Sequence, residues 1–327
     1  MKSEIWNSNL NMYNIGIDLG GTNIKVGLVD ENCNIVAKAT AKTNLPRPAE
    51  EICAAIVDTV WKALGEAKVT IGEVNSIGIG TPGVANRNSG VVLYSCNLGF
   101  ENTDLRSMIK TRLDKPIYVE NDANAAAFGE VLAGAGKGCK DVVVVTLGTG
   151  VGGGIIVDGK IYTGFNFCGA ELGHTVIEYN GRPCSCGRKG CFEAYSSATA
   201  LINMTRETME AHKDSKMWEI TKGSIDNVDG KTAFDGMRAG DEAAKALVNK
   251  YIEYLGCGLT NIINTFQPEV LLIGGGICME GENLTKPLYE IIKRDSYCID
   301  PNKSTRLDIC KLGNDAGIIG AAFLYSI

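Results

Sequence analysis

Apolar and polar positions along this chain switch between two periods. Near the start, residues 14–30 read as a strand, a glycine turn and a second strand, with Ile15, Ile17 and Leu19 before the glycines and Ile24, Val26 and Leu28 after them. Ile35 to Thr40 extends this to a third strand. From Pro48 to Leu64 the period changes: Ile52, Ala55, Ile56, Thr59, Val60, Ala63 and Leu64 line one face of a helix. Ser76 to Gly80 is a short apolar strand that ends in the turn Thr81-Pro82-Gly83. Pro116 to Val119 is another strand, and the alanines after it predict a helix beginning near Asp122.

The first hairpin then recurs. Residues 142–158 have the same layout, with Asp18 aligned to Thr146, Gly20 to Gly148 and Asp30 to Asp158. Residues 196–266 read mostly as helix. The clearest piece runs from 241 to 266 and carries Leu247, Tyr251, Leu255, Leu259, Ile262, Ile263 and Phe266 on one face. Gln267-Pro268 stops it. Glu269 to Ile273 is a buried strand followed by Gly274-Gly275-Gly276, and Ala316 to Ile327 is a small apolar helix. Residues 1–12 read as a loose polar end. Alternating strands and helices predict an α/β protein of two related lobes. The expected division is 1–119, with 317–327 packing back on it, against 120–316.

Composition narrows the field. The chain has 327 residues, enough for two cores, and is 45% hydrophobic and 21% charged. Its net charge of −6 argues against nucleic acid as a partner. No secretion signal opens the chain and no apolar run is long enough to span a bilayer, so a cytoplasmic protein with reduced thiols is expected among its 12 cysteines.

The stretch 171–193 carries the strongest chemical signal. His174, Cys184, Cys186 and Cys191 make a complete tetrahedral donor set for zinc, with no position left for water, so the metal is expected to be structural. Cys184 and Cys186 are too close in sequence to bridge comfortably. Gly181, Gly187 and Gly190 suit a tight metal knuckle. Glu171 and Glu193 flank the loop and would be held as acceptors for hydroxyl donors such as those of a sugar.

Three glycine turns follow strands: Gly20-Gly21-Thr22, Gly148-Thr149-Gly150 and Gly274-Gly275-Gly276. Their amides and the Thr22 and Thr149 hydroxyls could meet phosphate oxygens. None fits the Walker pattern or a dinucleotide fingerprint. Asp18, beside the first turn, could hold hydrated magnesium or simply cap the turn. Asn121 and Asp122 stand at a strand-to-helix junction. Asp122 there is either a helix cap or a general base that takes a proton from an attacking alcohol.

Taken together, DLGGTNIK at 18–25, GTPG at 80–83, ENDANAAAFGE at 120–130, TLGTGVGGGI at 146–155, ELGH at 171–174, CxCGxxGCxE at 184–193 and IGGG at 273–276 resemble the ROK family of sugar kinases and repressors. The resemblance runs from residue 14 to the end. It implies an actin/hexokinase-like fold of two ribonuclease-H-like lobes with ATP in the cleft between them. It implies Asp122 as the base for the sugar's primary hydroxyl, with Gly83, Asn121, Asp122, Glu171, His174 and Glu193 as sugar contacts. His174 would serve zinc through one ring nitrogen and sugar through the other. Gly20, Gly21, Thr22, Lys25, Thr149 and Gly150, with Asp18, match the phosphate-binding turns, and Gly275 and Gly276 the adenosine motif.

The family's repressors carry a DNA-binding domain ahead of the first lobe. Only about a dozen residues stand there in this chain, which favours the kinase branch. Within that branch the motifs resemble glucokinases most, so glucose, ATP, Mg2+ and structural Zn2+ are the expected ligands. Family members often form homodimers or homotetramers. One departure bears on the sugar: many glucokinases have a tryptophan after the Asn-Leu pair, where this chain reads Asn97-Leu98-Gly99-Phe100. Kinases for allose, fructose, N-acetylglucosamine or N-acetylmannosamine, and a non-catalytic sugar sensor, are the alternatives.

Overall fold

The computed structural model describes residues 12–298 and 300–327, so most of the stretch expected to be a loose end lies outside the described residues. The chain divides into two compact units. One runs to Lys137 and includes Thr163–Cys168 and Asn314–Ile327; the other comprises Gly138–Tyr162 and Gly169–Gly313.

In the first unit, strands β1 (Tyr13–Leu19), β2 (Asn23–Val29) and β3 (Ile35–Lys42) lead into helix α1 (Ala49–Ala67). The buried face of α1 includes Ile52, Ile56, Val60, Ala63 and Leu64, at the spacing read from the sequence. Strand β4 (Val74–Thr81) is followed by β5 (Val84–Asn86), β6 (Val91–Ser95) and β7 (Phe100–Asp104), then α2 (Leu105–Lys110), β8 (Ile117–Asn121) and α3 (Asp122–Ala133). The main sheet has the order β3-β2-β1-β4-β8, and β5-β6-β7 form a separate antiparallel sheet.

The second unit holds β9 (Val142–Leu147), β10 (Val151–Val157) and β11 (Lys160–Ile161). Helices α4 (Glu193–Ser196), α5 (Ala198–Ala211), α6 (Met217–Ile220), α7 (Thr232–Arg238) and α8 (Glu242–Phe266) follow, then β12 (Val270–Gly274), α9 (Glu282–Asp295) and β13 (Arg306–Ile309). Asp241 caps α8 by accepting the Ala244 amide at 3.0 Å. The face expected for α8 is buried except at Phe266, the last residue of the helix, which is exposed.

The sheet of this unit runs β11-β10-β9-β12-β13, with β9 antiparallel to β10 and parallel to β12. That is the order and sense of the first sheet, so the repeat seen in the sequence is a repeat of topology. The two hairpins are not superimposable residue for residue. Leu19 pairs with Ile24, whereas Leu147 pairs with Val151, so the second turn is tighter by one residue. The closing bonds agree: Gly20 N–H donates to Asn23 O, but Gly148 N–H donates to Gly150 O.

Helix α10 (Ala316–Ala322) belongs to the first unit and lies against β1, β4 and α3. Glycine makes that approach feasible. A Cβ at Gly16 would run into the Ile318 carbonyl, one at Gly78 into the Ala321 carbonyl, and one at Gly320 into the Ala125 carbonyl. The same packing keeps α3 with the first unit, so that unit continues beyond the expected division at Glu120. The helix is shorter than read from the sequence, ending at Ala322 before a 3-10 turn. Gly78→Ala should lower the melting temperature by roughly 6–12 °C, the equivalent of an overpacking cost of about 3 kcal/mol in a domain of this size. A thermal melt of the variant checks this.

Candidate active site and metal centre

In the second unit, the loop 174–191 folds as a knuckle. Cys184 N–H donates to Arg188 O at 2.9 Å and Gly187 N–H to Cys184 O at 3.0 Å. Gly190, at φ +79, lies where a Cβ would strike the Glu178 carbonyl. One donor atom from each of His174, Cys184, Cys186 and Cys191 falls within 4.8 Å of all the others. The imidazole presents Nδ1 to the cluster, 3.6 Å from Cys184 Sγ, and Cys186 Sγ is 3.7 Å from Cys191 Sγ. Cys184, Cys186 and Cys191 are in no disulfide. Burial pushes the Cys191 thiol up to about 12, whereas the Arg188 backbone N–H draws Cys186 below the ordinary thiol range. A cation among these sulfurs would reverse the penalty on Cys191. Three sulfurs and one imidazole nitrogen converging this closely fit a tetrahedral soft-ligand site.

The two flanking glutamates differ. Glu171 precedes the short turn Leu172–His174, and its exposed carboxylate makes no hydrogen bond among the described residues. Glu193 is engaged on both oxygens. Oε2 accepts the Val151 amide at 3.0 Å, and Oε1 accepts the Ser185 hydroxyl at 3.2 Å and the Cys184 thiol at 3.7 Å. Gly150 is the residue against which this carboxylate packs.

The glycine turns of this unit lie side by side. A Cβ at Gly275, where φ is +106, would run into the Leu147 carbonyl, so the end of β12 sits against the turn after β9. Thr149 is exposed and a Cβ at Gly276 would face open space. The Gly148 carbonyl is taken by the Ala198 amide at 2.9 Å, at the start of α5.

In the first unit, Asn121 caps α3, its Oδ1 accepting the amides of Ala123 at 2.9 Å and Asn124 at 3.1 Å. Its Nδ2 donates to the Gly83 carbonyl at 3.0 Å, leaving one N–H free. Gly83, at φ +94, packs where a side chain would meet Tyr94 O and Ser95. Asp122 follows as the first residue of α3 and is half-buried. Asn121 is thus the main cap, and Asp122 shares the Ala123 amide with it, its Oδ1 accepting that N–H at 2.9 Å. Desolvation lifts the Asp122 carboxyl above the usual aspartate range, and the Asp18 carboxylate adds to the rise against opposing hydrogen bonds. Asp18 itself pairs with Lys25 at 2.9 Å.

Around the first glycine turn, Thr43 takes both outward carbonyls: its Oγ1 donates to Gly20 O at 2.7 Å and its N–H to Thr22 O at 3.0 Å. Thr22 is exposed and Gly21 is half-exposed. Sequence reasoning missed Thr43, which no local pattern marks. It also passed over Glu120, which is 2% exposed and accepts the Asn121 amide at 2.9 Å and Asn124 Nδ2 at 3.1 Å. Burial raises the Glu120 carboxyl, and Arg87 approaches its other oxygen at 3.8 Å. The adjacency of Glu120 to Asn121 was the only available sign.

These placements can be compared with known proteins. The sequence profile of the ROK family matches residues 14–326. A glucokinase of Thermotoga maritima is 39% identical over 94% of this chain and 95% of its own length. A ROK family glucokinase from Streptomyces griseus, solved in complex with glucose and AMPPNP, has a TM-score of 0.76 at 34% identity, covering 95% of this chain and 98% of that one. A xylose repressor of Caldicellulosiruptor bescii is 29% identical over 94% of this chain but only 76% of its own length. The paired five-stranded sheets are accordingly those of the actin/hexokinase-like fold. With the match spanning nearly every described residue, the chain belongs to the ROK family.

Proposed function

We propose that this protein is an ATP-dependent sugar kinase that transfers the γ-phosphoryl group to the 6-hydroxyl of a hexose, glucose before others. The observation that carries this reading is Asp122. Asn121 supplies the cap across Ala123 and Asn124, while the Asp122 carboxylate accepts the Ala123 amide at 2.9 Å through Oδ1, is lifted in pKa, and stands immediately after β8. Such a group can accept a proton from an alcohol as the new O–P bond forms, while positioning and charge neutralisation do most of the work. The Thermotoga maritima relative at 39% identity and the Streptomyces griseus structure at 34% identity both carry glucokinase in their names.

In this reading the sugar is held by Gly83, Asn121, Asp122, Glu171, His174 and Glu193. The free N–H of Asn121, the exposed carboxylate of Glu171 and the ring edge of His174 opposite Nδ1 are the polar groups that support it. The ATP phosphates lie along Gly20, Gly21, Thr22, Lys25, Thr149 and Gly150, with the adenosine at Gly275 and Gly276.

Magnesium fits near Asp18, where two carboxylates repel one another and a dication would relieve them. It would neutralise charge on the phosphates. Zinc fits His174, Cys184, Cys186 and Cys191, where it would fix the loop and take no part in the chemistry. Among the described residues no helix is long and apolar enough to cross a membrane.

A panel of hexoses assayed with ATP and Mg2+ tests the proposal. Glucose should give the highest kcat/KM and ADP in equal amount to sugar phosphate. Sugar binding without ADP release would replace the kinase with a sensor. Preference for another hexose would move only the substrate assignment.

A further inference from the structure

Glu193 is more than one wall of a sugar site. Its carboxylate spans two elements of the second unit. Oε1 is held by the cysteine loop through the Ser185 hydroxyl at 3.2 Å; the Cys184 sulfur, 3.7 Å away, donates to it only as a thiol, so with a metal bound Ser185 is the anchor. Oε2 receives the amide of Val151, the residue that closes the turn Gly148–Gly150, at 3.0 Å. The fit leaves no spare room, since a Cβ on Gly150 would strike Oε2. The chain after Glu193 grips the same turn from its other end, where the Ala198 amide donates to the Gly148 carbonyl at 2.9 Å. Val151 is 7% exposed, so this bond lies in a sheltered place and is stronger for it. A hydrogen bond from an amide to a carboxylate is among the stronger kinds.

We infer that Glu193 is a positioning residue for the glycine turn 148–150, a strut through which the ordered state of the cysteine loop is transmitted to the phosphate-binding backbone. When the loop is pinned, the strut holds the turn Gly148–Gly150 in one conformation, and the Thr149 amide stays pre-arranged for phosphate while the Gly148 amide closes the turn on Gly150 O. When the loop loosens, Oε1 loses its anchor and the turn gains freedom. The consequence is a metal loop that governs nucleotide affinity even without sugar. Its nucleotide part rests on the kinase reading; the strut itself does not.

Hydrogen exchange of the Val151 amide in the full-length, metal-replete protein without ligands tests the strut directly. Protection at Val151 should fall at least about tenfold in Glu193→Ala, the loss expected when a bond of this class is removed. Glu193→Gln keeps a carbonyl acceptor and should retain most of the protection. Ser185→Ala, which removes the hydroxyl bond to Oε1 and a 4.0 Å contact with the Cys184 sulfur but leaves the four donors and the turn in place, should give an intermediate loss. AMPPNP titration without sugar should follow the same ranking, Glu193→Ala weakest and Glu193→Gln near wild type. Unchanged Val151 protection in Glu193→Ala overturns the strut, as does equal loss in Ala and Gln variants, which would mark a general structural defect. If the wild type binds no AMPPNP while Val151 protection follows the ranking, the kinase reading fails and the strut stands.

Discussion

Asp122→Asn should lower kcat by roughly 10²–10⁴-fold, the usual contribution of a positioned general base. The substitution is nearly isosteric. The cap of α3 is made by Asn121, so the helix start survives the change. Hexose affinity, measured by calorimetry on the unreacted complex, should stay within a few-fold of wild type. The effect is thus a loss in kcat rather than a rise in KM, the signature of a group needed only in the transition state. A variant with near-wild-type kcat would remove Asp122 from the base role.

The pH profile offers a second handle on the same carboxyl. Burial and the Asp18 charge both favour the protonated form, so the Asp122 pKa lies above its ordinary value. The base works only when ionised. Activity should therefore fall as pH drops through this raised pKa, and the acidic limb should sit at higher pH than an unperturbed aspartate would give. For stability the sign is the reverse: keeping Asp122 ionised above that pKa costs folding free energy, and the cost is relieved as pH falls. Neutralising the neighbour in Asp18→Asn removes one raising influence, so the limb should move to lower pH.

Stripping the cysteine loop of metal should be the largest perturbation of stability. Cys191 is fully buried, and without a cation burial holds its thiol up near 12. Three sulfurs and an imidazole left together without charge balance cannot anchor the knuckle, and binding at such sites is coupled to folding. Loss of a structural metal belongs to the mutational class costing about 4 kcal/mol or more, which in a domain of this size is a fall in melting temperature on the order of 10 °C. Elemental analysis of protein prepared without chelator should find about one zinc per chain, a stoichiometry set by the four-donor site. Cys191→Ser should lose both the zinc and the stability. Absence of zinc from such a preparation would remove the metal from the account.

Local pattern determined a good deal about this chain. The glycine turns, the faces of α1 and α8 and the metal donors are each written within a short stretch, because strand and helix periods and metal-ligand spacing are set by nearest neighbours. The duplicated hairpin was also legible, since both copies repeat one arrangement of apolar residues around glycine. Contacts between distant residues were not. Nothing near Thr43 announces that it will tie off Gly20 and Thr22, and nothing near residue 87 announces Arg87 beside Glu120. The sheet β5–β7 and helix α9 went unread. The strands are short, and Pro287 interrupts the helix pattern of α9. The tightening of the second turn by one residue, the return of α10 onto glycines of β1 and β4, and the engagement of both Glu193 oxygens were decided by tertiary packing. The sequence names the groups able to do the chemistry. Which of them remain free to do it depends on the partners that the fold brings to each polar atom.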